Sequence, residues 1–268
     1  MTSIMVWFDS DIPTKERYRL IRDIGFDGTL LWWGDSPSSA PGDYLLHPQM
    51  ARNAGLYVEN AHIPFKDFNG INNLWLDNLD GAALAEHLMQ CIAECTEHEI
   101  PTIVMHLTQN GNLPEAGTHG PDRIRRLVDS AERLNVNIAL ENLKTTSDLD
   151  YVLGQIDSPR LGFCLDSGHL NCHCPGENIL ERFGTRLKAL HLHDNDGVND
   201  RHLLPFDGTI DWDTLMKEIA ATGYNGPTAL EVVRDRGYSD MPVEEFLRQA
   251  FERATCLAGI EKGQNHGV

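Results

Sequence analysis

Eight short apolar runs, each followed by a longer amphipathic stretch, limit what this chain can fold into. The runs are SIMVWF (3–8), GTLLWW (28–33), GLYVENA (55–61), TIVMHL (102–107), VNIALEN (136–142), LGFCLD (161–166), LKALHLH (187–193) and PTALEVV (227–233). They are continuously apolar rather than alternating, as suits parallel strands buried on both faces. Helical patterns fill the gaps, over residues 14–24, 44–54, 79–98, 121–134, 147–155, 177–183, 213–222 and 243–257. Pro121 stands at the first turn of its helix, a favoured start. Thr14 opens an imperfect capping box, with Arg17 where Glu is usual. Gly25, Gly55 and Gly223 follow their helices as C-caps do. Repeated strand–helix units pair in parallel with right-handed crossovers, and eight of them close into a single (β/α)8 barrel. The 268 residues suit one such unit, so residues 1–268 are expected to form one domain. The polar tail EKGQNHGV is expected to fray.

Composition narrows the function. The net charge of −18, from 40 acids against 22 bases, argues against a nucleic-acid partner, because duplex binding rests on Lys and Arg. The N-terminus lacks a basic region followed by a long apolar one, and no apolar run approaches the ~18 residues of a membrane span. Six cysteines in a large chain without a signal peptide are expected to stay reduced, which suits a cytoplasmic protein. Cys91 and Cys95, four apart on a helix, are read as packed. An oligomer is compatible with all of this.

The chemistry-bearing residues fall where the apolar runs stop. His62, His106, Glu141, Asp166, His191 and Glu231 each stand at the C-terminal end of a strand, on the rim that carries the site in a parallel barrel. Glu141, Asp166, His191 and Glu231 form an arc of three carboxylates and one imidazole. That set suits Mn²⁺, Mg²⁺, Co²⁺ or Zn²⁺ without sharp preference. Glu141 and Glu231 would face each other across the metal, placed to remove a proton next to a carbonyl and to return it elsewhere. The metal would hold sugar oxygens and stabilise the enediolate. His169 lies three residues past Asp166 and is expected in the same site. His191 and His193, two apart, share one face of a strand. Asp200 and His202 are expected to bind a second metal or a sugar hydroxyl. His62 and His106 either bind metal too, making the site polynuclear, or donate hydrogen bonds to substrate.

Other features are assigned to packing or solvent. Asp194 and Asp196 are read as a solvated turn, and Cys172-His173-Cys174 as a loop without metal, since no second ligand pair is visible. Trp7-Phe8 and Trp32-Trp33 each place one ring toward the mouth and one into the barrel wall, so Trp7 and Trp32 are candidates to pack on sugar C–H faces. Two long loops, from Ile63 to about Leu79 and from Thr108 to Gly120, are candidate lids.

At these residues the chain resembles the xylose-isomerase-like TIM-barrel superfamily, which includes sugar phosphate isomerases and epimerases, inosose dehydratases and the apurinic endonuclease IV nucleases. The matching pieces are ALEN (Glu141), LDSGH (Asp166, His169), LHLHDNDG (His191), DRHLLPFDGTIDW (Asp200, His202) and ALEVV (Glu231). The resemblance implies Glu141, Asp166, His191 and Glu231 as metal ligands, with the two glutamates as the acid–base pair. The nuclease branch implies further zinc ligands at His62, His106, His169, Asp200 and His202. Ketohexose 3-epimerases carry Arg six residues after the strand-seven His, where this chain has Gly197. Arg201 and Arg234 remain as candidates for a substrate phosphate or carboxylate. The expected activity is a metal-dependent isomerase or epimerase of a sugar, sugar phosphate or related polyol. The alternatives are a zinc phosphodiesterase and a dehydratase of the inosose type.

Overall fold

A computed structural model describes residues 1–35, 40–109, 113–114 and 119–261. The tail expected to fray lies outside them from residue 262, as does most of the second candidate lid. In chain order the elements are β1 (Thr2–Met5), α1 (Thr14–Ile24), β2 (Gly28–Trp32), α2 (His47–Asn53), β3 (Tyr57–His62) and α3 (Leu79–Glu97). They continue with β4 (Thr102–Met105), α4 (His119–Leu134), β5 (Asn137–Glu141), α5 (Ser147–Leu153), β6 (Leu161–Asp166) and α6 (Ser167–His173). The last are α7 (Ile179–Phe183), β7 (Leu187–His191), α8 (Trp212–Ala221), β8 (Thr228–Leu230) and α9 (Val243–Glu261).

The eight strands form one parallel sheet in the order β7-β6-β5-β4-β3-β2-β1-β8. A Leu192–Leu230 bridge, with Leu192 N–H donating to Ala229 (2.9 Å) and Glu231 N–H to Leu192 (2.9 Å), joins its two ends. The sheet is therefore a (β/α)8 barrel, and the C-terminal ends of its strands share one rim.

Several strands are shorter than their apolar runs, because the rim positions of the runs leave the ladder. Gly25, Gly55 and Gly223 all take positive φ (124°, 85° and 78°), as C-caps need. The capping box at Thr14 does not form: Pro13 is the cap position and no side chain caps the helix. The span Cys172-His173-Cys174 is not a loop. Its first two residues end α6, whose N-terminus Asp166 caps by accepting from His169 N–H at 2.7 Å.

Two packing features position the site. Val104, Ala139, Cys164 and Ala189 form their own buried cluster. Each stands two residues before a ligand candidate (His106, Glu141, Asp166, His191), so the ligands point the same way, into the barrel mouth above a layer of small side chains. On the other side a register shift between Thr29 and Leu30 leaves Glu59 without a partner on β2. Glu59 then accepts from Ser3 Oγ across Gly28, whose missing Cβ would lie 3.5 Å from that of Ser3.

The segment from Ile63 to Leu79 is partly packed into the protein. Ile71, Leu74 and Trp75 in its short helical turn are buried, and Trp75 Nε1 donates to Leu107 O at 2.7 Å. Among the described residues, no helix is long and apolar enough to cross a membrane.

Candidate metal centre

Glu141, the last residue of β5, is the hub. Its Oε2 lies 3.0 Å from His62 Nε2, 3.2 Å from His106 Nε2 and 3.6 Å from His191 Nδ1, and its Oε1 lies 3.4 Å from His169 Nδ1. His191 Nδ1 also stands 2.9 Å from Glu231 Oε2. Neither ring nitrogen of His191, nor Glu231 Oε2, makes a hydrogen bond, although all three atoms are buried. Buried polar atoms left this way are costly unless something else satisfies them. A cation held between them would do so.

Three groups of residues each bring ligand atoms within 4.8 Å of one another: Glu141-Asp166-His191-Glu231, His62-His106-Glu141 and His193-Asp200-His202. Glu141 belongs to two of them. The first is fully buried and mixes three carboxylates with one imidazole. That donor set fits a divalent cation of the Mn²⁺ or Zn²⁺ kind. His169, expected in the same site as Asp166, lies 3.5 Å from Asp166 Oδ2 and 3.8 Å from Asp200 Oδ2, and its Nδ1 donates to Asn142 O at 3.0 Å. The third group contains His193: its Nε2 is 3.1 Å from Asp166 Oδ1 and 3.7 Å from Asp200 Oδ1, and its ring stacks on His202 at 4.0 Å. The two-residue spacing from His191 already put His193 on this face, but gave it no partner.

Burial alone would push the Glu141 carboxyl up, yet His106 and His191 hold it well below its usual range. Burial likewise opposes the charge of Glu231, and His191 brings it down to about 2. Both carboxylates are thus ionised at neutral pH, ready to accept a proton or a cation. Burial disfavours a charged His169, but Asp166 and Asp200 raise it to about 10. For His106 burial wins over Glu141 and lowers it.

The aromatic residues divide as the alternation predicts. Phe8 and Trp33 are buried, while Trp7 and Trp32 are only partly so. Trp32 stacks on His62 at 5.2 Å, and Trp7 meets it edge-on at 6.1 Å. Phe65 stacks on His106 at 4.4 Å.

Three sequence expectations need correction or narrowing. Asp194 is not solvated: it is fully buried and accepts from Asn195 N–H (2.9 Å), Phe206 N–H (3.0 Å), Ile210 N–H (3.2 Å) and Trp212 Nε1 (2.8 Å). Asp196 does form the expected exposed turn, accepting from Val198 and Asn199 N–H. Arg234 donates through Nε to Asp9 and through Nη1 to Ser239 O and Met241 O, which ties these segments of the chain together. Arg201 lies on the surface, 3.8 Å from Asp196.

Comparison with known proteins agrees with this architecture. The sequence pattern of the xylose isomerase-like TIM barrel family matches residues 18–254. An uncharacterized protein, y4fM, of Sinorhizobium fredii is 31% identical over 269 residues, covering 86% of this chain and 84% of its own length. A fructoselysine 3-epimerase of Shigella flexneri is 25% identical over 268 residues, covering 92% and 94%. The crystal structure of a D-tagatose 3-epimerase-like protein superposes with a TM-score of 0.75 at 20% identity, covering 99% of this chain and 98% of that one, a likeness of fold.

Proposed function

This chain belongs to the xylose isomerase-like TIM barrel family, and we propose that it is a divalent-metal-dependent isomerase or epimerase of a sugar, sugar phosphate or related polyol. The observation that carries the reading is the convergence of buried Glu141, Asp166, His191 and Glu231, with His191 and Glu231 Oε2 lacking hydrogen bonds. Relatives that act on sugars as epimerases support it. These four residues would hold the ion, manganese or a similar metal with zinc as the other candidate. Bound there, it would polarise the substrate carbonyl and offset the charge of an enediolate.

Glu141 and Glu231 do the proton work in this reading. One carboxylate takes the proton next to the carbonyl, and the other returns it to the opposite face or to the neighbouring carbon. Glu141 is fixed by the imidazoles of His62, His106 and His169, so its position is set before substrate arrives. Glu231 pairs with His191 across 2.9 Å. Trp7 and Trp32 offer ring faces to the sugar C–H groups. His62, His106, His169, His193, Asp200 and His202 either orient hydroxyls or hold a second ion. Six free cysteines suit the cytoplasmic setting we assign.

A second reading, a zinc phosphodiesterase of the apurinic endonuclease IV type, draws on the His62-His106-Glu141 and His193-Asp200-His202 groups. The charge of −18 weighs against a DNA substrate. A dehydratase of the inosose type would share the first proton transfer and then expel a β-hydroxyl.

The test is solvent deuterium exchange into a panel of ketoses and polyol ketones, followed by NMR. Glu141→Gln and Glu231→Gln should each slow exchange by about 10²-fold or more. Full exchange in both variants would end the two-glutamate mechanism. Metal content separates the readings further: one ion per chain favours the isomerase, and three zinc ions favour the phosphodiesterase.

A further inference from the structure

We propose that the substrate carries an anionic group, a phosphate or a carboxylate, and that Lys144 receives it; this rests on reading the site as a sugar proton-transfer centre. A cavity of about 300 Å³ opens beside the ligand groups, lined among others by His106, His169, Asp200, Phe65, Gln109 and Lys144. That volume lies at the lower end of small-molecule pockets. Lys144 is the cavity's one Lys or Arg, and among the described residues it makes neither a hydrogen bond nor an ion pair.

Its backbone is held in place. Lys144 follows Glu141 by three residues, on a loop bonded to the neighbouring strand end. Asn142 Nδ2 donates to Asp166 O at 2.9 Å, Asp166 N–H donates to Asn142 Oδ1 at 2.8 Å, and Cys174 Sγ lies 3.9 Å from Leu143 O. The ammonium thus springs from a fixed base next to the reacting centre.

The surroundings point the same way. Lys66 Nζ lies 5.7 Å from the Phe65 ring centre. Arg236 Nη1 donates to Asp200 O at 3.2 Å and its side chain is half exposed. These two cations contact residues of the lining without lining the cavity themselves, in a chain with 40 acids and 22 bases. A neutral sugar gives Lys144 no charged partner. An anionic one is drawn into the mouth through an otherwise repulsive field and held by its charged end, with its carbonyl turned to the glutamates. The sequence offered Arg201 and Arg234 for this role; the residue that lines this cavity is Lys144.

The experiment compares matched sugars on the metal-loaded protein: D-fructose, D-fructose 6-phosphate and D-fructuronate, with D-tagatose and D-tagatose 6-phosphate as a second pair. Binding is read by calorimetry, and deuterium exchange by NMR. At least one anionic sugar should bind about tenfold or more tighter than its neutral partner, the scale of one charge-assisted hydrogen bond. The better of the phosphate and carboxylate arms identifies the group. Lys144→Gln should remove most of that ratio, Lys144→Arg should keep much of it, and added salt should shrink it. Equal binding of neutral and anionic sugars, or an equal loss for both in Lys144→Gln, would overturn the proposal. An anion preference without exchange into any sugar would uphold Lys144 and defeat the proton-transfer reading. Exchange without an anion preference would do the reverse.

Discussion

Replacing Glu59 by Gln is expected to stabilise the protein above neutral pH and to change little in mild acid. Glu59 sits at the register shift inside the barrel, 5% exposed, with Oε1 buried and unpartnered. Burial pushes its carboxyl from the ordinary 4.5 up to about 7, against the opposing pull of Ser3, His191 and Asn60. The folded state therefore binds this proton more tightly than the unfolded chain does. Below the unfolded value both states are protonated and there is no penalty. Between about 4.5 and 7 the unfolded chain ionises first and folding loses ground, and above about 7 the loss is complete. A rise of that size at 1.36 kcal/mol per pH unit amounts to about 3 kcal/mol. Gln keeps the volume and an oxygen for Ser3 but carries no charge to bury. Urea unfolding at pH 8 should show a gain of about 3 kcal/mol for the variant, falling to about 1 kcal/mol or less at pH 5. A loss at pH 8, or the same difference at both pH values, would refute the argument.

Three further outcomes are expected. Asp194→Ala strands three backbone N–H groups and the Trp212 indole in a buried pocket, so urea unfolding should show a loss of about 3 kcal/mol or more. Gly168→Ala would place a Cβ 1.8 Å from His193 Cε1, forcing that ring off Asp166; calorimetric titration with Zn²⁺ should show weaker binding, while unchanged binding would remove His193 from the site. Chelator-stripped protein should melt lower than metal-loaded protein, since an ion at 100 times its Kd adds about 2.7 kcal/mol.

The barrel was legible in the sequence because its signals are local. Eight apolar runs mark the strands, and the glycines after α1, α2 and α8 take positive φ as caps. The Glu141-Asp166-His191-Glu231 group was legible for the same reason, since parallel strand ends must share a rim. Residues fixed by distant partners were not. Asp194 looks like a turn acid within HDNDG, and its burial depends on Trp212, 18 positions later. Arg234 looked available until Asp9, 225 positions away, took its guanidinium. The helix over SGHLNCH has little helical propensity. It is held by the Asp166 cap and by Asn195 Nδ2 donating to Gly168 O at 2.7 Å.

On the proposed reading Glu141, Asp166, His191 and Glu231 close around one divalent ion. Anomalous scattering from crystals of the metal-loaded protein, collected at the absorption edges of manganese and zinc, would locate that ion. A peak is expected within about 2.0–2.3 Å of donor atoms from these four residues. Crystals whose ions all lie elsewhere, with these four side chains facing a site free of anomalous density, would contradict it.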